Sequence, residues 1–362
     1  MMQAKKKPPP LQMTRLLTNP ILRIGLLILA VSAVGFSFDP LLLLLNTIPV
    51  QALGLLVAFL AGYCGYKFLA LGSDDVVNEA TSIVNDRQWS PALIPGIIAF
   101  GTSLSELGFV IVSTVNNQNE ILVHSIIGSD GFQLGGIFFV CVAVAKTSQW
   151  DAKLLRIDMW LLSLMTFFVL SATRIGFTRL IGTLIATTAL LAAWQFLKDA
   201  PEGIFQTDEL GDLHHKTGSP FNLITGFGLL LLGTVWFFDA IIYAGQAFSI
   251  PSFILGIVGA IITSAGEVFT TFPLVKSGKK GLFFAAIALA GSNAFDTSFL
   301  GLSAAIRPFH LEPTAYNSLP AIVTMGLTVL LLNFTYRSSI PRWVGLVVVP
   351  IYLVSFVALT LI

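Results

Sequence analysis

Charge is what this sequence has least of. Its 362 residues include 20 Lys and Arg and 19 Asp and Glu, 11% of the chain, against 55% hydrophobic residues and a mean hydropathy of +0.84. That leaves too little polar surface for a soluble globule of this size, so the chain reads as a polytopic membrane protein. Cysteine is nearly absent too: Cys64 and Cys141 both fall in predicted helices, so no disulfide framework is implied. No nucleotide or phosphate motif occurs, which argues against a primary pump. The formal net charge of +1 rests on Lys and Arg in short loops and offers no basic face to nucleic acid.

Apolar runs supply the rest. Windows of about 20 residues, enough to span a bilayer, fall at roughly 21–38, 49–70, 91–115, 121–145, 154–172, 176–197, 221–247, 250–275, 282–306, 319–335 and 342–362. If every window spans and the basic N-terminus (Lys5, Lys6, Lys7, Arg15, Arg23) is cytoplasmic, 17 of the 20 Lys and Arg share that side, and Arg174, Arg179 and Arg307 alone lie outside. This is a positive-inside distribution. The first window could be a signal peptide ending near Val31-Ser32-Ala33, but its long basic lead favours a retained helix.

The chain also matches itself at an offset of 161: Gly72 falls on Gly233, Thr102-Ser103 on Thr263-Ser264, and Glu106 on Glu267. After a short polar loop each copy carries a second motif, "GSDGFQ" from Gly128 and "GSNAFD" from Gly291. Each half holds five windows, so equivalent helices run in opposite directions. The fold expected is an all-α polytopic membrane protein of two inverted five-helix repeats with an extra N-terminal helix. Its parts are 1–48 (basic tail and extra helix), 49–197 (first repeat), 198–220 (polar cytoplasmic linker) and 221–362 (second repeat). Substrate sites of such proteins lie near the midplane, where interrupted helices of both repeats meet.

Polar side chains cluster in the repeated motifs. On a helix Thr102, Ser103 and Glu106 share a face, as do Thr263, Ser264 and Glu267; Ser129 pairs with Gln133, and Ser292 with Asp296, at four-residue spacing. An acidic side chain in the middle of a membrane helix costs about 2.5 to 3.5 kcal/mol on insertion scales, so something must offset it. The set holds oxygen and no thiolate or imidazole, which suits a hard cation such as Ca²⁺ or Na⁺ and excludes a zinc or copper site. Lone membrane Ser and Thr usually bond to backbone or a neighbouring helix; acids at repeat-equivalent positions, each preceded by Thr-Ser, point to function. Asp130 has no acidic counterpart, since Asn293 matches it, and is a further candidate ligand or proton carrier. Gly101, Gly128, Gly266 and Gly291 allow close helix approach and local unwinding. Asp74, Asp75 and Glu79 read as a solvated helix end, and the linker group Asp208, Glu209, Asp212, His214 and His215 as a solvated loop.

These motifs resemble those of the cation/Ca²⁺ exchanger superfamily, whose two repeats carry G-T-S-x-P-E and G-S-N-x-x-N/D; the resemblance runs from about Gly54 onward. It implies exchange of Ca²⁺ against Na⁺ or H⁺ by alternating access. It places cation ligands at Thr102, Ser103, Glu106, Ser129 and Gln133, and at Thr263, Ser264, Glu267, Ser292 and Asp296. The chain departs from the pattern where Ser105 and Gly266 replace the proline, Asp130 an asparagine, and Gln133 a shorter amide. An acid at Asp296 resembles sodium-coupled members more than proton-coupled ones. The function expected is therefore export of Ca²⁺ in exchange for Na⁺. The alternatives are a Ca²⁺/H⁺ exchanger, a cation channel and a non-transporting sensor. Neither enzymatic catalysis nor a resident cofactor, nucleic acid or protein partner is implied. Inorganic cations and the bilayer, most simply the plasma membrane, are the partners.

The charge pattern makes a prediction of its own. Cysteines placed at Lys153, Lys279 and Arg342 should react with an impermeant thiol reagent from the cytoplasmic side alone, and one at Asn117 from outside alone; cytoplasmic labelling at Asn117 would rule out the alternating layout.

Overall fold

In hydrocarbon a backbone finds no water to bond, so long apolar runs must close their hydrogen bonds within themselves as helices. The computed structural model describes residues 51–86, 99–145, 155–199, 219–264, 267–268, 271–272, 275, 281–312, 315–337 and 339–361. In chain order its helices are α1 Gln51–Asp86, α2 Leu104–Val115, α3 Asn119–Gly131, a π-helical stretch Phe132–Phe138, α4 Phe139–Val144, α5 Arg156–Ile175, α6 Arg179–Asp199, α7 Pro220–Phe248, α8 Ser252–Thr263, α9 Gly281–Ile306, α10 Ala315–Phe334 and α11 Arg342–Leu361. The one β-type pairing among the described residues is an isolated bridge between Phe177 and Phe309. The fold is thus all-helical, as expected. The first apolar window, 21–38, and the linker's acidic and histidine residues lie outside the described residues.

Glycine brings the two longest helices together. A Cβ on Gly65 would lie 2.7 Å from the carbonyl oxygen of Gly233, and one on Gly233 2.7 Å from that of Gly65; Gly72 and Gly226 meet in the same way two turns along. Only hydrogen at these four positions lets the backbones of α1 and α7 touch. Because Gly65 faces Gly233 while Gly72 faces Gly226, the helices run antiparallel. Helix α1 also extends well past its predicted window, to Asp86. Glu79, read above as solvated, instead accepts the Ser219 N–H at 2.7 Å and the Asn222 side-chain amide at 2.9 Å. It thereby satisfies a backbone donor that the start of α7 would leave without an intrahelical partner.

Around this pair, α6 packs on α9, α11 on α4 and the π-helical stretch, α8 on α3, and α10 on α5. A large apolar cluster about Phe138, Phe139 and Phe283 joins several of them. At one end of the bundle Arg307 donates to the Thr114 carbonyl at 3.0 Å and the Phe177 ring stacks on Phe309 at 4.7 Å. Elsewhere Arg156 donates to the Thr335 carbonyl at 3.4 Å and Arg342 to that of Ala145. These contacts join ends that the charge pattern assigns to one side. Among the described residues, Leu53–Gly72, Asn119–Val144, Arg156–Ile175 and Pro220–Phe248 are long and apolar enough to cross a membrane without interruption. Windows 91–115 and 250–275, read above as spans, are not continuous helices, and both breaks fall at the polar motifs.

The glycine contact predicts a stability effect. Gly72→Val should destabilise the protein by about 1–3 kcal/mol through overpacking against the Gly226 carbonyl, whereas Gly326→Ala, whose Cβ would meet nothing within 4 Å, should be neutral. Thermal unfolding of the two variants in one detergent checks this; equal midpoints would refute the close crossing.

Candidate functional site

The helix containing Thr102 stops and restarts within one residue. Ser103 has φ −72° and ψ −4°, well off helical ψ, and α2 begins at Leu104. In the second half Ser264 repeats the deviation, with φ −75° and ψ 6°, at the end of α8, and Glu267 and Val268 are helical again. The breaks therefore fall on the serine of each Thr-Ser pair, without the proline of the related motif. Gly101, Gly128 and Gly291 are themselves helical and serve close approach: their Cβ atoms would lie 2.8 Å from Val76 Cγ1, 2.9 Å from Ala260 Cβ and 3.1 Å from Ala99 Cβ. The expectation that they unwind the helix is not met. Gly266 lies outside the described residues.

All ten predicted site residues are buried: Thr102, Ser103, Glu106, Ser129, Gln133, Thr263, Ser264, Glu267, Ser292 and Asp296. Hydrogen bonds join most of them across the two halves. Ser129 donates to Glu106 Oε1 at 3.3 Å and Ser292 to Glu267 Oε1 at 3.0 Å. The Ser103 and Ser292 hydroxyls are 2.8 Å apart, and those of Ser129 and Ser264 2.6 Å. Gln133 Nε2 donates both to Ser129 Oγ at 3.0 Å and, across the halves, to Asp296 Oδ2 at 3.1 Å. Thr102 and Thr263 donate to the carbonyls three residues back, Ala99 and Ala260, at 3.1 and 3.2 Å, and the Thr102 hydroxyl also bonds Glu267 of the other half. A hydroxyl that donates still has lone pairs for another partner.

Asp130 is 6% exposed and holds the Thr297 hydroxyl on its Oδ2 at 2.6 Å. Sequence reasoning missed Thr297, although it directly follows Asp296 and so had to lie near the site. It also missed the π-helical stretch, which begins one residue before Gln133 while the matching part of α9 stays α-helical. Such widened turns are frequent at functional sites, and no composition signal marks this one.

The electrostatics are one-sided. Asp296 interacts with Glu106, Glu267 and Asp130, and Glu106 also with Glu267 and Asp130. Asp296 Oδ1, Gln133 Oε1 and Asp130 Oδ1 are buried and accept no hydrogen bond. Among the described residues no three His, Cys, Asp or Glu side chains converge tightly enough to hold a metal ion by themselves. A cation here would rest on hydroxyl and amide oxygens as much as on carboxylates. Such an all-oxygen donor set suits a hard cation.

The chain can be set beside known proteins on this geometry. A family model described as sodium/calcium exchanger protein matches residues 54–195 and 219–361, one segment on each side of the linker. The sodium/calcium exchanger MaX1 of Methanosarcina acetivorans is 23% identical over 84% of this chain and 98% of its own length. Solved structures of the sodium-calcium exchanger NCX_Mj share the fold. One, soaked with Na⁺ and Sr²⁺, superposes with a TM-score of 0.62 at 21% identity over 84% of this chain and 99% of that one. Another, soaked with Na⁺ and Ca²⁺, gives 0.60 at 21% identity over 83% and 98%. With the family model matched on both sides of the linker and the two broken helices facing each other inside the bundle, this integral, multi-pass membrane protein belongs to the sodium/calcium exchanger family.

Proposed function

We propose that the protein is a secondary antiporter that exports Ca²⁺ in exchange for Na⁺ by alternating access. The cations would be bound by Glu106, Glu267 and Asp296 with the hydroxyls of Thr102, Ser103, Ser129, Thr263, Ser264 and Ser292 and the Gln133 amide. One observation carries the reading: the bonds Ser129 to Glu106 and Ser292 to Glu267 are repeat-equivalent and are tied together by Ser103 with Ser292 and Ser129 with Ser264. A cluster of acids from both halves, buried and shared across them, has no structural purpose that apolar residues would not serve better. Dehydrated cations give it one.

The halves are proposed to be inverted repeats. Under the offset of 161, Gly65 corresponds to Gly226 and Gly72 to Gly233, yet in space Gly65 meets Gly233 and Gly72 meets Gly226. Each glycine thus touches the counterpart of the other, as a two-fold axis in the membrane plane requires. The antiparallel pair α1 and α7 forms one body, held by contacts between glycines and by Glu79, and the four helices carrying the site form the other. Rocking one against the other would expose the site to either side in turn. An empty site with several buried carboxylates is costly to occlude, so it crosses only when loaded, which makes the exchange obligatory. The N-terminus is assigned to the cytoplasm and the protein to the plasma membrane on the charge pattern.

In proteoliposomes an outward Na⁺ gradient should drive uptake of radiolabelled Ca²⁺ that saturates and stops when the counter-ion is removed. Flux without a counter-ion would mean a channel, and none under any gradient would mean a sensor. Glu106→Gln and Glu267→Gln should each weaken Ca²⁺ binding by about 100-fold, corresponding to roughly 3 kcal/mol for leaving a buried ionic cluster incomplete, while the variants still elute as folded protein. Full activity in either would refute the site.

Asp296→Asn should sharply weaken Na⁺-driven flux, and a pH gradient alone should drive little transport in the native protein. Robust Ca²⁺ uptake driven by pH in sodium-free vesicles would replace Na⁺ by H⁺ as the coupling ion and leave the site standing.

A further inference from the structure

Lys67 is a cation within the apolar stretch Leu53–Gly72 of α1, away from the central acids. A charged side chain in such a stretch calls for a partner. Its ammonium sits 5.5 Å from the centre of the Tyr63 ring and 5.8 Å from that of Tyr66, within cation–π range. Among the described residues no carboxylate pairs with it. The positions one turn away on its own helix, Tyr63, Cys64, Ala70 and Leu71, carry no acid either. Tyr63 and Tyr66 also line a groove of about 600 Å³, a size that takes a ligand well larger than water. The groove follows α1 from Leu55 to Tyr66, with Ala244 and Phe248 of α7 and Ile262 of α8 among its other lining residues. The two tyrosine hydroxyls are the only polar side-chain atoms in that lining. Tyr63 and Phe248 are exposed, so the groove opens on the lipid-facing side of the bundle.

Length and depth point to the occupant. Leu55 and Tyr66 lie about 16 Å apart along the helix axis, and one leaflet of the hydrocarbon core is about 15 Å deep. Lys67 lies roughly 8 Å inside the Gly72 end of the apolar stretch. That is the end which the charge pattern assigns to the cytoplasm, and lysines near a helix end reach the headgroups. We propose that α1, α7 and α8 bind one anionic phospholipid of the cytoplasmic leaflet, with its phosphate on Lys67 and an acyl chain in the groove. The chain needs no hydrogen bond from an apolar lining, and the phosphate supplies the anion that Lys67 lacks. Such a lipid rests on both helices of the pair packed through glycine. It also rests on α8 at Ile262, the residue before Thr263 and Ser264. This binding does not depend on what the central acids carry.

The test is titration of the purified full-length protein in detergent with phosphatidylglycerol or phosphatidylcholine, with bound lipid counted by native mass spectrometry. The native protein should bind its first phosphatidylglycerol about fivefold more tightly than its first phosphatidylcholine, the worth of one lysine beside an anionic lipid. Lys67→Met should lose that preference, and Lys67→Arg should keep it. Ala244→Phe, which fills the groove and leaves the charge, should weaken binding of both lipids by about tenfold, as for the loss of roughly two buried methylenes. A preference unchanged in Lys67→Met would place the anion elsewhere and overturn the proposal. Binding unchanged in Ala244→Phe would put the chain outside the groove and also overturn it. So would a native protein that holds neither lipid, which would give the groove to another segment of the chain, such as the window 21–38, or to a second copy.

Discussion

Glu106 and Glu267 each take a hydrogen bond from a serine of the next helix in their own half, and each of those serines also bonds a serine of the other half. Much of the architecture follows from making that arrangement tolerable inside hydrocarbon. A carboxylate there can be neither hydrated nor left alone. Its neighbours must be polar, they must come from several helices, and those helices must approach closely. Hence Gly128 lies against Ala260 and Gly291 against Ala99, with no room for a larger side chain. The breaks at Ser103 and Ser264 fall at the serines whose hydroxyls meet Ser292 and Ser129 of the other half.

The same constraint sorts the helices into two groups. Helices α1 and α7 touch through glycine, contribute none of the ten candidate residues, and are tied to each other by Glu79 at the start of α7. The helices bearing the site are tied to one another by polar bonds that cross between the halves. Motion between the two groups would cost little polar bonding, whereas motion within the site group would break several buried hydrogen bonds at about 1–3 kcal/mol each.

Near-symmetry is also where the chain carries its individuality. Gln133 lies in a widened, π-helical turn and Asp296 in a regular helix, and the amide reaches the acid across the two halves. Asp130 and Asn293 occupy matching places and bond in opposite directions, one across to α9 and one back into its own helix. A perfectly symmetric site would present the same charge from both halves; this one is more acidic, and its most acidic part spans the contact between α3 and α9.

Much of this could be read from the residues alone, because hydrophobic runs, a repeated spacing and acids in apolar stretches are local properties of a chain. The all-helical class, the ten candidate site residues and the close approach at Gly101, Gly128 and Gly291 follow from periodicity, the repeated motif and the cost of polar atoms in lipid. Other features depend on what lies opposite. Whether Glu79 is solvated or caps a neighbour, whether Ser103 rather than Ser105 ends the helix, that Thr297 holds Asp130, and that a π-turn precedes Gln133 are decided by partners far away in sequence. A side chain's bonding is fixed by the donor that packing brings to it, and local spacing names the residues that need such a donor without saying which one arrives.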